Sequence, residues 1–135
     1  MGISVEWYND DKTIIIQNYD GRWSWEEFHE LTNVIVPAMM REVPHTVHIF
    51  SDFTNGDIPS MNSALTHAKH ALSSFGDNWG CLVVVGGNSV INMLVNLFRQ
   101  LFNNSVGSKT FAAPTLDIAL DLVVQYQANM EVSPE

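Results

Sequence analysis

The sequence contains a single cysteine, few basic residues and no long apolar run. Of its 135 residues, 6 are Lys or Arg and 15 are Asp or Glu, which gives a formal net charge of -9. Without a cluster of cationic side chains the chain cannot neutralise a row of phosphates, so neither nucleic acid nor an anionic membrane surface is an expected partner. No uncharged apolar stretch reaches the ~20 residues that cross a bilayer, so membrane insertion is not expected.

The lone cysteine, Cys81, cannot form a disulfide within the chain, and it precedes the apolar run 82–85. A buried thiol in such a run behaves as a small apolar side chain. The first ten residues also lack the basic and apolar segments of a secretory signal. We therefore expect a cytoplasmic protein in reducing surroundings.

Apolar periodicity and turn residues divide the chain into strands and helices. The predicted strands cover 3–7, 13–16, 46–50, 80–85 and 109–112, and the predicted helices begin at Ser24, Ser60, Ser89 and Thr115. After the first hairpin, strands and helices alternate, which requires crossover connections and a largely parallel sheet. The prediction is an α/β domain over 1–128, with about five strands in a mostly parallel mixed sheet and four helices. Residues 129–135 are expected to form a flexible tail.

The first helix has a clear start and an expected irregularity. Ser24 and Glu27 have the spacing of a capping box, in which each side chain accepts a hydrogen bond from the other residue's amide. Pro37 has no amide hydrogen and its ring crowds the carbonyl of Asn33, so a kink is expected between these residues. The predicted buried face consists of Phe28, Leu31, Ile35, Ala38 and Met39.

The third helix has an unusually broad apolar arc of roughly 160°, at about 100° per residue. Its apolar positions are Val90, Ile91, Leu94, Val95, Leu97, Phe98, Leu101 and Phe102. A helix that only packs on one sheet needs a narrower apolar arc, so this helix is expected to contact a second surface. That surface is the last helix, a second subunit or an apolar ligand.

Tryptophans bracket the first helix cap, and Trp23 and Trp25 cannot point the same way, so at least one is expected to be partly exposed. They contribute to core packing or to an apolar pocket that would also include Phe53. The candidate pocket or interface residues are Trp23, Trp25, Met39, Ile91, Val95, Phe98 and Phe102.

The segment 48–62 (HIFSDFTNGDIPSMN) leads from a strand into a turn and a helix. Asp52 is placed at the carboxyl end of the strand, where open α/β sheets gather ligands. It is also well placed to accept a hydrogen bond from the amide of Thr54 or Asn55 within the turn. The candidate interaction or ligand loop consists of Asp52, Phe53, Thr54, Asp57, Ser60 and Met61.

The element order, Asp52-Phe53-Thr54 after the third strand and the segment 115–120 (TLDIAL) at the last helix together resemble the STAS fold of sulphate transporters and anti-sigma-factor antagonists. The chain is most similar to the SpoIIAA-like branch of stand-alone domains, over roughly residues 3–126. In the signalling members of that branch, a serine in an Asp-Ser-Ser-Gly loop is phosphorylated at the start of the following helix.

This sequence departs from that phosphorylation motif. Asp57 corresponds to the loop aspartate, but Ile58-Pro59-Ser60 replaces Ser-Ser-Gly, with proline at the acceptor position. Ser60, one residue later, is either a helix cap or a phosphate acceptor favoured by the helix dipole. The resemblance therefore implies a regulatory module in which the phospho-acceptor motif is not retained.

Three functions follow as hypotheses. The first is a non-catalytic STAS-like module that binds a protein partner or itself as a homodimer, through 52–61 and the surfaces of the second and third helices. The second is a carrier or sensor of a small apolar, lipid-like ligand. The third is a small enzyme that pairs Asp52 or Asp57 with a histidine. His67 and His70 are three residues apart but form only half of a metal site, so neither a metal nor a cofactor is expected.

Overall fold

The computed structural model describes residues 2–60 and 63–132 and contains a mixed sheet of five strands. The strands are β1 (Ile3–Trp7), β2 (Ile14–Gly21), β3 (Val47–Gly56), β4 (Trp79–Val85) and β5 (Thr110–Ala113). They lie side by side in chain order, with β1 antiparallel to β2 and the other neighbours parallel. The predicted α/β class, with a hairpin followed by parallel strands, is confirmed.

The four predicted helices are present, and the first is divided into three parts. The helical segments are α1 (Trp25–Glu30), a π-helical segment (Leu31–Ile35), α2 (Val36–Met40), α3 (Ala64–Ser73), α4 (Ser89–Leu101) and α5 (Leu116–Val132). A short 3-10 turn (Val106–Lys109) precedes β5. Within the described ranges, no helix combines the length and apolarity needed to cross a membrane.

The helices divide unequally between the two faces of the sheet. Ile15 and Ile49 pack with α1 to α4 in one apolar core, whereas Ile16 and Phe50 pack with α5 in a second core. Right-handed crossovers between strands that follow each other in chain order place every connecting helix on the same face. Only α5, which follows the last strand, can cover the other face.

The irregularity expected before Pro37 is present as the π-helical segment Leu31–Ile35. The amide of Val36 donates to the carbonyl of Leu31, five residues back, instead of four. Pro37 follows immediately and has no amide to offer to the Asn33 carbonyl, so a wider turn before it accommodates the missing hydrogen bond.

The wider turn also rotates the buried face of this helix. Val36, Pro37 and Met40 are buried, whereas Ile35 and Ala38 are exposed and Met39 is half-buried. The predicted face is confirmed at Phe28 and Leu31, wrong at Ile35 and Ala38, and partly right at Met39, which packs against the core. The extra residue in the wide turn shifts every later side chain by about 100°.

The third strand is longer than predicted. Asn55 and Gly56 continue the pairing with β2, opposite Asp20 and Gly21, so Asp52 lies inside the strand rather than at its end. The neighbouring strand β4 stops at Val85, which pairs with Asp52. The last residues of β3 therefore project beyond β4 along the edge of β2.

The helix starts also differ from the predictions in two places. The capping box of Ser24 and Glu27 is present, as expected. However, Asn88 rather than Ser89 caps α4, with its Oδ1 accepting from the Ile91 amide at 3.0 Å. The second helix begins at Ala64, so Ser60 is not its cap.

At the carboxyl end of the chain, Thr115 Oγ1 accepts from the Ile118 amide at 3.3 Å, as predicted for the last helix. Residues 129–132, which were expected to belong to a flexible tail, continue α5, which ends at Val132. Residues 133–135 lie outside the described part of the chain.

Replacing Asn88 by Ala is expected to lower the free energy of unfolding by about 1 kcal/mol, because the Ile91 amide loses its acceptor. Ser89→Ala is the matched control at the next residue, and it is expected to change stability by less than about 0.5 kcal/mol. Urea denaturation of the two variants measures the difference. A larger loss for Ser89→Ala than for Asn88→Ala would contradict the observed cap.

Candidate functional site

A cavity of about 110 Å³ lies between the sheet and the helices α1, α3 and α4. Its walls are mainly apolar and aromatic. Side chains on α1 and the π-helical segment, on α3 and on α4 form one side, and the face of the sheet opposite α5 forms the other. The residues that line the helical side are Trp25, Phe28, Thr32, Ala64, Leu65, Ala68, Ala71, Leu72, Phe75, Ile91, Leu94, Val95 and Phe98.

The sheet side of the cavity is a row of neighbouring residues on three parallel strands. Gln17 on β2 pairs in register with Ser51 on β3, which pairs in turn with Val84 on β4. Because side chains alternate across a strand, all three point to the face that carries the helices. Tyr19 and Phe53, two residues further along β2 and β3, also line the cavity.

Aromatic rings pack against each other along one wall. Tyr19 stacks on Phe53 with ring centroids 4.2 Å apart, and Trp23 meets Trp25 edge to face at 5.1 Å. Phe28 contacts Trp25 at 5.2 Å in the same manner. Offset and edge-to-face pairs of this kind are the geometries that aromatic rings prefer, so the wall is well packed behind the cavity surface.

Most of the residues predicted for an apolar pocket meet at this cavity. Trp23, Trp25, Phe53, Ile91, Val95 and Phe98 all line it. Trp25 is partly exposed, as expected for at least one of the two tryptophans. Phe53 is partly exposed as well. Two predicted residues lie elsewhere: Met39 packs against the same core without reaching the cavity, and Phe102 contacts Phe98 at 4.9 Å outside the lining.

Polar residues in the lining were not anticipated. Gln17 and Ser51 are buried, and the amide oxygen of Gln17 accepts hydrogen bonds from the hydroxyls of Tyr19, at 3.0 Å, and Ser51, at 2.9 Å. Burial raises the pKa of the Tyr19 phenol, which keeps it protonated and able to donate. The sequence offered one signal for this polar group: Gln17 directly follows the β-branched run 13–16.

The candidate loop residues are not brought together into one site. Asp52 Oδ1 accepts from the amide and the hydroxyl of Thr54, at 2.9 and 2.6 Å, so the predicted amide hydrogen bond is present although both residues lie within β3. Asp57 accepts from the Ile58 amide at 3.1 Å. Asp52 lies in a shallow polar cleft beside β1, whereas Asp57 lies in a different cleft beside Arg22.

Ser60 is exposed and lies four residues before the start of α3. The expectation that the positive end of a helix favours a phosphate on Ser60 is therefore wrong, because that effect is confined to the first turn. Met61 lies outside the described residues. Of the five described residues of the candidate loop, Phe53 alone contributes to the cavity.

Three histidines meet where α1 and α3 are in contact. His29 Nε2 and His67 Nδ1 are 2.7 Å apart and share a hydrogen bond, and the ring of His70 lies 5.4 Å from that of His29. Sequence spacing related only His67 and His70, because the third ring comes from another helix. Trp25 stacks on His67 at 4.2 Å, so the histidines contact the wall of the cavity.

On the opposite face of the sheet, His48 and Cys81 are neighbours. His48 Nδ1 accepts from the Cys81 amide at 3.1 Å, so Nε2 carries the proton and donates to Gln127 Oε1 at 3.0 Å. Burial raises the pKa of the Cys81 thiol to about 12. A thiol that is neutral and buried is a poor nucleophile, so this pair has a structural role.

The outer surface of α4 is apolar and exposed. Val90, Met93, Leu97 and Leu101 are between 39% and 62% exposed. The alternative in which this helix packs against the last helix is wrong, because α4 and α5 belong to the cores on opposite faces of the sheet. The inner part of the predicted arc faces the cavity, and the outer part faces solvent.

Acidification from about pH 7.5 to about pH 5.5 is expected to lower the melting temperature. Burial lowers the pKa of His29 and of His48 below the ordinary 6.5, and for His29 the neighbouring His67 and His70 add to this effect. The unfolded chain therefore binds more protons in the interval below 6.5, and the stability present above that pH is lost as the pH falls through it.

Thermal unfolding at several pH values, followed by circular dichroism, measures this slope. His29→Gln is expected to flatten it, whereas His45→Gln, which removes an exposed histidine outside the cluster, is the control and leaves it unchanged. A melting temperature that rises as the pH falls over this interval would contradict the assignment.

No group of three or more His, Cys, Asp or Glu side chains is arranged to hold a metal ion in the described ranges 2–60 and 63–132. No family model and no curated protein sequence matches this chain. The candidate site is therefore defined by its geometry alone. It is an apolar, aromatic cavity with a few buried polar groups on the wall that the sheet forms.

Proposed function

We propose that this protein is a non-catalytic binding domain whose ligand is a small apolar molecule held in the cavity between the sheet and α1, α3 and α4. The observation that carries the proposal is the cavity itself, at about 110 Å³ and with walls made mainly of aromatic and aliphatic side chains. Interiors of proteins are normally packed without spaces of this size, and apolar concave sites with a few polar groups are typical of small-molecule binding.

The volume limits the size of the ligand. An apolar cavity of about 150 Å³ accommodates a benzene ring. A ligand of this protein is therefore of the order of one six-membered ring or a short aliphatic chain. Ala64, Ala68 and Ala71 contribute to the space, because three small side chains on α3 face the sheet where larger ones would fill it.

The absence of catalysis is proposed from the surroundings of the titratable groups. Asp52 accepts hydrogen bonds from Thr54, and Asp57 accepts from the Ile58 amide and from Asn88 Nδ2. In the described residues neither carboxylate bonds to a histidine. General acid-base catalysis requires such groups within hydrogen-bonding reach of each other or of a substrate. Sensing or carrying a ligand needs none of them.

We further propose that the chain is a cytoplasmic member of the STAS-like, SpoIIAA-like group of regulatory domains. The strand order and the crossovers on one face support this proposal. The free, buried Cys81 supports a reducing environment. In such a module the bound molecule, rather than a phosphate on Ser60, would be the regulatory signal.

Titration of the whole chain with toluene is expected to change the fluorescence of Trp23 and Trp25, which line the cavity. Ala71→Leu is expected to weaken this binding at least tenfold, since the larger side chain occupies the cavity. Ala38→Leu makes the same change at an exposed helical position and is the matched control. Equal toluene affinity in the wild type and in Ala71→Leu would contradict binding in this cavity.

Self-association is a second candidate function, favoured by the exposed surface of α4. Val90, Met93, Leu97 and Leu101 form an apolar strip along that helix. Although the chain carries 15 acidic residues, α4 contains none, and its one charge, Arg99, is directed over the ring of Phe111. Two copies could therefore bring these surfaces together without the like-charge repulsion that a net charge of -9 causes elsewhere.

Sedimentation velocity is expected to show a dimer that Leu101→Glu converts to a monomer, because a carboxylate would be buried in the apolar contact. Val124→Glu is the matched control: Val124 is equally exposed but lies on α5, across the sheet. A wild-type protein that remains monomeric at about 100 µM, near the affinity of weak association, would rule out this second function.

A further inference from the structure

The cavity contains a buried amide with half of its hydrogen-bonding capacity satisfied. Gln17 is 2% exposed and lies on the sheet side of the cavity. Its oxygen Oε1 accepts from Tyr19 and from Ser51, which uses both of its lone pairs. Its nitrogen Nε2 is inaccessible to solvent and has no hydrogen-bond partner among the described residues.

The Gln17 amide turns its oxygen toward two hydroxyl groups. The Tyr19 and Ser51 hydroxyls both direct a hydrogen at Gln17, and an oxygen accepts both. The donor end of Gln17 is therefore the end left without a partner, an arrangement that proteins avoid unless another group completes it.

The donors that remain elsewhere in the lining are N–H groups. The hydroxyls of Thr32 and Thr110 donate to main-chain carbonyls, so their hydrogens are already used. The indole N–H groups of Trp23 and Trp25 are buried and, in the described part of the chain, lack an acceptor. What the walls can still donate is N–H, which a ligand complements with an acceptor oxygen.

The charge around the cavity limits that acceptor further. Among the described residues, none that lines the cavity is Lys, Arg or His, and the chain as a whole carries a net charge of -9. A carboxylate in this site would lose its hydration without gaining a counter-charge, which is costly. A neutral carbonyl oxygen accepts an amide hydrogen without that cost.

Building on the function proposed above, we propose that the ligand is an uncharged small molecule with an apolar ring or chain and one carbonyl-type oxygen, such as a ketone, aldehyde or ester. The oxygen accepts from Gln17 Nε2 and the apolar part fills the space between α3 and the aromatic wall. Gln17 is thus the residue that selects for the oxygen, while the aromatic and aliphatic lining supplies most of the affinity.

The test compares acetophenone with ethylbenzene, which differ chiefly in the carbonyl oxygen, on the wild type and on Gln17→Met. Acetophenone is expected to bind about fivefold to tenfold more weakly to Gln17→Met, the size of one hydrogen bond. Ethylbenzene should bind both proteins equally or prefer the variant. Gln125→Met, which makes the same change at an exposed position of α5 on the other face of the sheet, is the control and should retain the selectivity for acetophenone.

A second measurement does not depend on the stability of any variant. In the ¹H–¹⁵N spectrum of the wild type, acetophenone should shift the side-chain amide protons of Gln17, and ethylbenzene should leave them nearly unchanged.

If both compounds bind, but neither this shift nor the variant distinguishes them, the inference about Gln17 is overturned while the apolar binding function stands. If neither binds, both are overturned. Benzoate that binds more tightly than acetophenone would overturn the preference for a neutral ligand.

Discussion

The handedness of the crossovers is the constraint on which the rest of the structure depends. Four parallel strands follow each other in chain order, so each right-handed connection places its helix on the same face of the sheet. The three helical connections pack against that face, while among the described elements α5 alone covers the other. The cavity lies on the face with the three helical connections. There the small alanine side chains of α3 face the sheet, and aromatic residues of β2, β3 and α1 form the surrounding wall.

The two faces of the sheet consequently differ in chemistry. Under α5, Cys81 and His48 are packed and hydrogen-bonded, and Gln127 completes the arrangement. On the other face, Gln17 and Ser51 place polar groups in an otherwise apolar core. An unpaired buried donor costs about 1–3 kcal/mol. Its presence beside a cavity fits a site built for a ligand, and a sheet that only needed stability would carry an aliphatic residue at that position.

Local signals in the sequence predicted the architecture well, because hydrophobic period, caps and turns act over a few residues. The apolar run 80–85 and the capping box at Ser24 fall as expected. Predictions failed where distant contacts decide. Pairing with β2 extends β3 past Asp52, and the hydrogen-bond register before Pro37 rotates the helix face away from Ile35.

The site was partly predictable, because some of its residues give local signals in the sequence. The broad arc on α4 and the paired tryptophans indicated an apolar pocket, and Ile91, Val95, Trp23 and Trp25 do meet there. Neither Gln17, which depends on Ser51 from another strand, nor the approach of His29 to His67 across two helices is visible in local spacing. Such pairs exist only after the chain has folded.

Xenon enters apolar cavities of this size without forming hydrogen bonds, so it reports on the space itself. A crystal structure of the protein under xenon pressure tests the central claim most directly. The account predicts a xenon peak between α3 and the sheet, bordered by Trp23, Phe28 and Phe53. Side chains that close this space, with no xenon peak there, would contradict it.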